Sequence, residues 1–130
     1  MLYTFTDPNC PYCRDFWKKA RPWVEAGDVQ LRHVMIGVLE PDSPAKASAL
    51  LGAVDPAAAL HAHESGASPA APAAQPRHIE EQVYSNNQLF ESLGFFATPT
   101  TVFRVEDELD RIQGMPDEAA FIELMGGPAP

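Results

Sequence analysis

The chain holds two cysteines, Cys10 and Cys13, separated by Pro11 and Tyr12. Thiols at this spacing can close an inert disulfide, help bind a metal ion, or exchange electrons with other thiols. So short a ring restrains the unfolded chain little, which makes stability a poor reason for placing it. A zinc site would draw further ligands from His33, His61, His63 and His78. His61 and His63, however, are two apart in a helical stretch, about 200° around its axis, and cannot both face one ion while that helix stays wound. Thiol exchange is the better reading. The β-rich run Leu2-Tyr3-Thr4-Phe5-Thr6 is broken by Asp7-Pro8-Asn9, and a helix begins at Pro11. Unpaired N–H groups and the positive end of the helix dipole therefore point at the Cys10 sulfur and favour its thiolate, which makes Cys10 the nucleophile. Cys13, one turn on and more enclosed, is within reach of a disulfide with Cys10. Pro11 suits the first helical turn, costs no hydrogen bond there and stiffens the ring.

The elements that position this pair follow from spacing. From Pro11 to about Ala26 the residues Phe16, Trp17, Ala20, Trp23 and Val24 make a helical apolar face, with Gly27 as its stop and Pro22 as an expected kink. Val29 to Leu39 reads as a second strand, parallel to the first with the helix crossing over between them. Helix formers then dominate: Pro44 to Gly52, Pro56 to Glu64, and His78 to Leu93, with Ser43 and Asp55 as caps for the first two and Gly94 as the stop of the third. Gly66 to Pro76, rich in Pro and Ala, reads as an extended connector. Thr100 to Val105 and Leu109 to Gln113 form a hairpin, and a closing helix runs from Pro116 to Met125 with acids in its first turn. The expected fold is α/β: a central mixed sheet flanked by helices, with a helical insertion over about 43–94 between a β-α-β and a β-β-α half, all in one domain spanning 1–130.

Thr98-Pro99 stands directly before the third strand. With a redox pair elsewhere it suggests a cis peptide lying against the sulfurs, where the missing proline amide leaves the preceding backbone free to pair with an extended substrate. Asp7 sits near Cys10 and is read first as part of the turn that ends the strand, second as a modifier of the thiol. Trp17 and Trp23 read as packing, and Lys18, Lys19 and Arg21 as a solvated basic cluster on the outer helix face.

The 130 residues carry a net charge of -9, which repels phosphate backbones and disfavours a nucleic-acid role. No apolar stretch is long enough to span a membrane, and the first residues lack the basic start and apolar run of a secretory signal. The 13 prolines are about double the usual share.

The element order, the Cys-Pro-Tyr-Cys opening a helix and the Thr-Pro before a strand together resemble the thioredoxin fold. More narrowly, the run from Tyr3 to Trp17, followed by Ala20-Arg21-Pro22-Trp23-Val24, resembles the catalytic domain of the DsbC/DsbG family of periplasmic thiol:disulfide interchange proteins, its DsbG branch above all. The likeness continues through Val29-Gln30-Leu31-Arg32, Ile36-Gly37-Val38, Ser43-Pro44-Ala45, Thr98-Pro99 and Gln113-Gly114-Met115-Pro116-Asp117, and is weakest from Gly66 to His78. It implies that Cys10 attacks a substrate disulfide and that Cys13 or a second substrate thiol releases the mixed disulfide; the first outcome is net redox, the second isomerisation. Reduction of a sulfenic acid on a single cysteine would use the same two sulfurs. Pro11, Tyr12, Thr98 and Pro99 would border the substrate, with Tyr12 as a stacking contact. The implied partners are proteins bearing disulfides or oxidised cysteines and a DsbD-type membrane reductase as electron donor, in the periplasm, with no cofactor and no metal. Members of the family carry an N-terminal dimerisation domain that this sequence is expected to lack, so a homodimer is not assumed. Two competing readings are a DsbA-like dithiol oxidase and a chaperone-like polypeptide-binding module. A glutaredoxin is disfavoured by the long helical segment between Leu39 and Thr98, and Thr98 in place of an apolar residue before Pro99 resembles the isomerase branch.

Overall fold

A computed structural model describes residues 1–130. Its elements run β1 (Leu2–Thr6), α1 (Pro11–Glu25), β2 (Leu31–Met35), α2 (Ser43–Leu51), α3 (Pro56–Glu64), α4 (Arg77–Ser92), β3 (Thr100–Val105), β4 (Glu108–Gln113) and α5 (Glu118–Leu124). The sheet order is β2-β1-β3-β4. β1 pairs parallel to β2, with Leu2 opposite Leu31 and Thr6 opposite Met35, and antiparallel to β3, with Tyr3 opposite Val102. β3 and β4 form the expected hairpin, turning at Glu106, the one non-glycine residue with positive φ. The sheet is therefore mixed, and α2, α3 and α4 form the helical insertion between its two halves.

The alternation of β1 sends its side chains to opposite faces. Leu2 joins Phe16, Ala20 and Trp23 of α1 and Phe121 of α5, while Phe5 joins Ile36, Phe90 of α4 and Phe95. A third cluster holds the insertion to the rest: Trp17 and Met35 pack with Ala47, Leu50, Leu60 and Val83. Trp17 and Trp23 are thus core residues, as their helical spacing predicts.

Several boundaries differ from the sequence reading, each for a local reason. β2 ends at Met35 and not at Leu39, because β1 offers only five partners; beyond it, Val38 and Leu39 give their amides to the Asp7 carboxylate at 2.8 and 3.0 Å. Ser43 is the first residue of α2 and not its cap: its hydroxyl is drawn off to Asp7 Oδ1 at 2.9 Å, and Asp42 takes the cap position without a side-chain bond. Asp55 does cap α3, accepting from the Ala58 amide. α5 starts at Glu118 because Asp117 caps it through the Ala120 amide at 2.8 Å. α1 continues past Pro22 to Glu25, although Pro22 supplies no amide to the Lys18 carbonyl.

The basic cluster of α1 is not simply solvated. Lys19 pairs with Glu118 of α5, and the Arg21 guanidinium lies 4.1 Å from the Trp17 ring centre while its Nε donates to the Trp17 carbonyl. Phe121 is fully buried, edge-on to Phe16 at 5.2 Å and to Trp23 at 5.7 Å. Phe121→Ala should cost about 3–5 kcal/mol, read as a lower urea midpoint with an unchanged slope.

Candidate active site

The site begins with a buried carboxylate. Asp7, at the end of β1, is fully buried and accepts four hydrogen bonds: from the Asn9 amide at 2.9 Å, the Ser43 hydroxyl, and the Val38 and Leu39 amides. Its backbone carbonyl accepts the Cys10 amide at 3.1 Å. The Asp7-Pro8-Asn9 turn is thereby tied to the loop after β2 and to the start of α2. Asn9 continues the tie, donating to Asp42 and Ser43 and accepting from Lys46 Nζ at 2.8 Å. Asp7 was legible as a turn residue; its reach to residues more than thirty positions away was not.

That turn delivers Cys10 to the N-cap of α1, with extended backbone and with its sulfur accepting the Cys13 amide at 3.1 Å. Cys13 lies one turn further in, and both thiols are free and buried. The third member comes from the other half of the chain. Thr98 Oγ1 donates to Cys10 Sγ at 3.1 Å, and the Thr98 carbonyl lies 3.5 Å from the same sulfur. The Thr98–Pro99 peptide is cis, and the Pro99 carbonyl accepts the Gly114 amide at the end of β4. Pro11 is at the start of α1, and Tyr12 is exposed beside the pair. All six residues singled out from the sequence therefore lie at one end of the sheet.

The two thiols are driven apart in acidity. Hydrogen bonding from the Cys13 thiol, then from Thr98 and from the Cys13 and Tyr12 backbone, brings Cys10 down from 9.0 to about 6 against the opposing effect of burial. Burial, joined by the neighbouring Cys10, pushes Cys13 far above the ordinary thiol range. At neutral pH the first sulfur is a thiolate and the second a thiol, the division of labour that exchange through a mixed disulfide requires.

Further groups about the site went unread in the sequence. Cys10 borders a groove of about 470 Å³ that also touches Pro8, Arg14, Lys46, His63 and Ala70. Phe96, two residues before Thr98, is 82% exposed. His61 and His63 do diverge: the first lies against the Trp17 ring, while the second is buried, with Nε2 donating to the Pro8 carbonyl at 2.7 Å and Nδ1 accepting the Ala70 amide at 2.8 Å. Both rings are thus committed to the fold. Glu64, the next residue, is 1% exposed.

Two outcomes follow. Thr98→Val removes one donor to a charged sulfur and should raise the Cys10 midpoint by about one pH unit in an ultraviolet thiolate titration. Because Cys10 is lowered from 9.0 to about 6, its contribution to the stability of the reduced protein is complete above pH 9 and disappears as pH falls through 6. Cys13 is raised, so its contribution is complete below 9 and declines above it. Under reducing conditions the chain should gain stability from pH 6 to about 9, relative to a Cys10→Ser, Cys13→Ser variant, and lose it beyond; a flat difference in urea midpoints would contradict a native thiolate.

Comparison with known proteins agrees with this fold. The model of the thioredoxin-like domain family matches residues 1–126. The chain is similar to the thiol:disulfide interchange protein DsbG of Pseudomonas aeruginosa, 45% identical across 97% of this chain and 51% of the relative. It is also similar to DsbG of Escherichia coli, 37% identical across 97% of this chain and 52% of the relative. It thus spans about half the length of these curated relatives. Among solved structures, a disulfide interchange protein from Neisseria gonorrhoeae superposes with a TM-score of 0.67 at 23% identity, over 96% of this chain and 84% of the other. Pseudomonas aeruginosa DsbA2 does so with 0.69 at 17%, over 94% and 84%. With the fold, the redox pair and the family model in agreement over almost the whole chain, it belongs to the thioredoxin-like domain family.

Proposed function

We propose that residues 1–130 form one catalytic domain of a thiol:disulfide interchange enzyme, isomerase-like in its chemistry. The observation that carries this reading is the Cys10 sulfur itself, set at a helix start where it accepts the Cys13 amide and the Thr98 hydroxyl, each at 3.1 Å. The 45% identity to a protein named for disulfide interchange supports it.

The steps follow from the geometry. The Cys10 thiolate attacks one sulfur of a substrate disulfide; a Cys10–substrate bond forms, the substrate S–S bond breaks, and the other sulfur leaves as a thiolate. As the charge leaves Cys10, the Thr98 hydroxyl and the Cys13 amide lose the anion they were holding, so their stabilisation opposes bond formation and keeps the mixed disulfide reactive. Cys13, enclosed and protonated, attacks only after losing its proton; that delay gives a second substrate thiol time to attack first, which is isomerisation. When Cys13 prevails, the substrate is reduced and the Cys10–Cys13 disulfide forms. Pro11, Tyr12, Thr98 and Pro99 border the sulfurs and are assigned to the substrate segment, with Tyr12, 62% exposed, as its stacking contact.

A stabilised thiolate favours the dithiol, so the disulfide form is a ready oxidant and returning it to the attacking state calls for an electron donor. A DsbD-type membrane reductase in the periplasm would fill that need, with polypeptides bearing disulfides or oxidised cysteines as substrates and the two sulfurs as the only redox group. Cys13→Ala removes the resolving thiol. With a disulfide-bonded substrate it should accumulate a covalent adduct at Cys10, visible as a mass increment that dithiothreitol removes, and the Cys10→Ser variant should show none. If no adduct forms at Cys10, the exchange mechanism is wrong.

A further inference from the structure

The exchange chemistry leaves a buried acid near the site without a task. Glu64 ends α3, is 1% exposed, and its Oε2 is buried without a hydrogen-bond partner; its Oε1 lies 3.5 Å from His63 Nε2, whose proton is already committed to the Pro8 carbonyl. Pro8 is two residues before Cys10, so a continuous path of contacts runs from Glu64 through His63 to the turn that positions the nucleophile. A carboxylate held this way is costly, because burying a charge without full compensation penalises the ionised form. A residue that merely packed α3 would be better apolar.

The groups facing Glu64 define what its charge would feel. Cys10, at the cap of α1, and Arg14 border the groove that His63 lines, and Lys18 follows Arg14 one turn on along α1. On its own helix His63 is adjacent, and His61 is turned away to Trp17. Lys46 of α2 and Asp15 of α1 border the same groove as His63, Lys46 being paired with Asp42. Burial raises the Glu64 carboxyl, Arg14 draws it down, the Cys10 thiolate raises it further and Lys18 draws it down again, leaving it at about 7.

We propose that Glu64 is a positioning residue that acts through Cys10: its carboxyl holds a proton while Cys10 is a thiolate and releases it when that charge is lost in a mixed disulfide. The inference rests on the thiol-exchange reading of the site. The balance is complete. When Cys10 forms its bond to substrate sulfur, one negative charge leaves Cys10 and appears on the departing substrate thiolate. Glu64, no longer opposed by that charge, becomes a carboxylate, and the proton it gives up matches the one the departing thiolate takes up. Nothing is oxidised or reduced beyond the exchange itself. The same repulsion runs both ways, since the effect of one site's charge on the other's proton affinity is reciprocal.

The test is a pair of titrations on the full reduced chain. Isotope-labelled glutamate reports the Glu64 carboxyl by NMR. Its midpoint should fall by at least a few tenths of a pH unit in Cys10→Ser relative to the parent, and an unchanged midpoint overturns the proposal without any substitution at Glu64. Thiolate absorbance reports Cys10, which ionises while Glu64 still holds its proton, so its midpoint should change much less in Glu64→Gln, a mimic of the protonated acid, than the Glu64 midpoint changes in Cys10→Ser; a Cys10 midpoint that falls as far would mean Glu64 is already a carboxylate beside the thiolate and would overturn the proposal. Adduct formation in Cys13→Ala separates the two readings. If no adduct forms, thiol exchange fails; if the adduct forms and the Glu64 midpoint stays put in Cys10→Ser, only the role of Glu64 fails.

Discussion

The Asp7 carboxylate holds together the parts of the structure on which the site depends. Its four hydrogen bonds join the end of β1, the loop after β2 and the start of α2. Each buried donor left without an acceptor would cost about 1–3 kcal/mol, so these three segments rise or fall together. The consequence is positional. With β1 ending against a fixed turn, α1 can start at only one place, and Cys10 falls at its cap. Gly37 completes the arrangement: a Cβ there would lie 2.4 Å from the Pro44 backbone nitrogen, so the close approach of this loop to α2 requires glycine. Asn87 of α4 brackets the same peptide, donating to its carbonyl and accepting its amide.

On this frame two kinds of stabilisation converge on one sulfur. The helix start supplies local donors whose position is set within four residues of sequence. Thr98 supplies a distant one, from 88 positions away. It arrives because β3 pairs antiparallel to β1, with Thr100 opposite Phe5, which brings the segment before β3 alongside the segment after β1. Sheet register therefore sets the chemistry: moving β3 by two residues would carry the Thr98 hydroxyl about 7 Å along the strand and out of reach of Cys10.

The parts of this design that sequence reveals are those encoded over short distances. The cysteine pair at a helix start, the cap at Asp55, and the apolar spacing of Phe16, Ala20 and Trp23 could each be read within a few residues. Thr98-Pro99 could be read as a companion to the pair because a proline at a strand entry, ordinary by itself, gains meaning beside two cysteines spaced for exchange. What escaped were the side chains whose roles depend on tertiary neighbours. Ser43 looks like a cap by position and serves Asp7 instead. Lys19 and Arg21 look solvated by charge, yet one meets α5 and the other lies on Trp17. His63 and Glu64 sit in an alanine-rich stretch where no periodicity separates a buried acid from an exposed one; the only available signal was the contrast with His61, which the two-residue spacing sends to another face.

That last group changes how the helical insertion is understood. α2, α3 and α4 could be taken as a cover over one side of the sheet, and the cluster of Trp17, Met35, Leu50, Leu60 and Val83 does bury apolar surface there. Cover alone does not call for the polar contacts made toward the site. α2 lends Ser43 to the Asp7 network and Lys46 to Asn9, α4 lends Asn87 to Gly37, and α3 places His63 on the Pro8 carbonyl with a buried acid behind it. Every helix of the insertion thus sends a polar side chain to the turn before Cys10 or to the loop that supports it. Such contacts are directional, and they fix the turn more tightly than apolar packing can. A sulfur that is both buried and ionised needs its surroundings set in advance, because reorganising dipoles would cost part of the stabilisation that makes it a thiolate. The insertion is therefore part of the cysteine site, and its helices stand in the same relation to Cys10 as the sheet does.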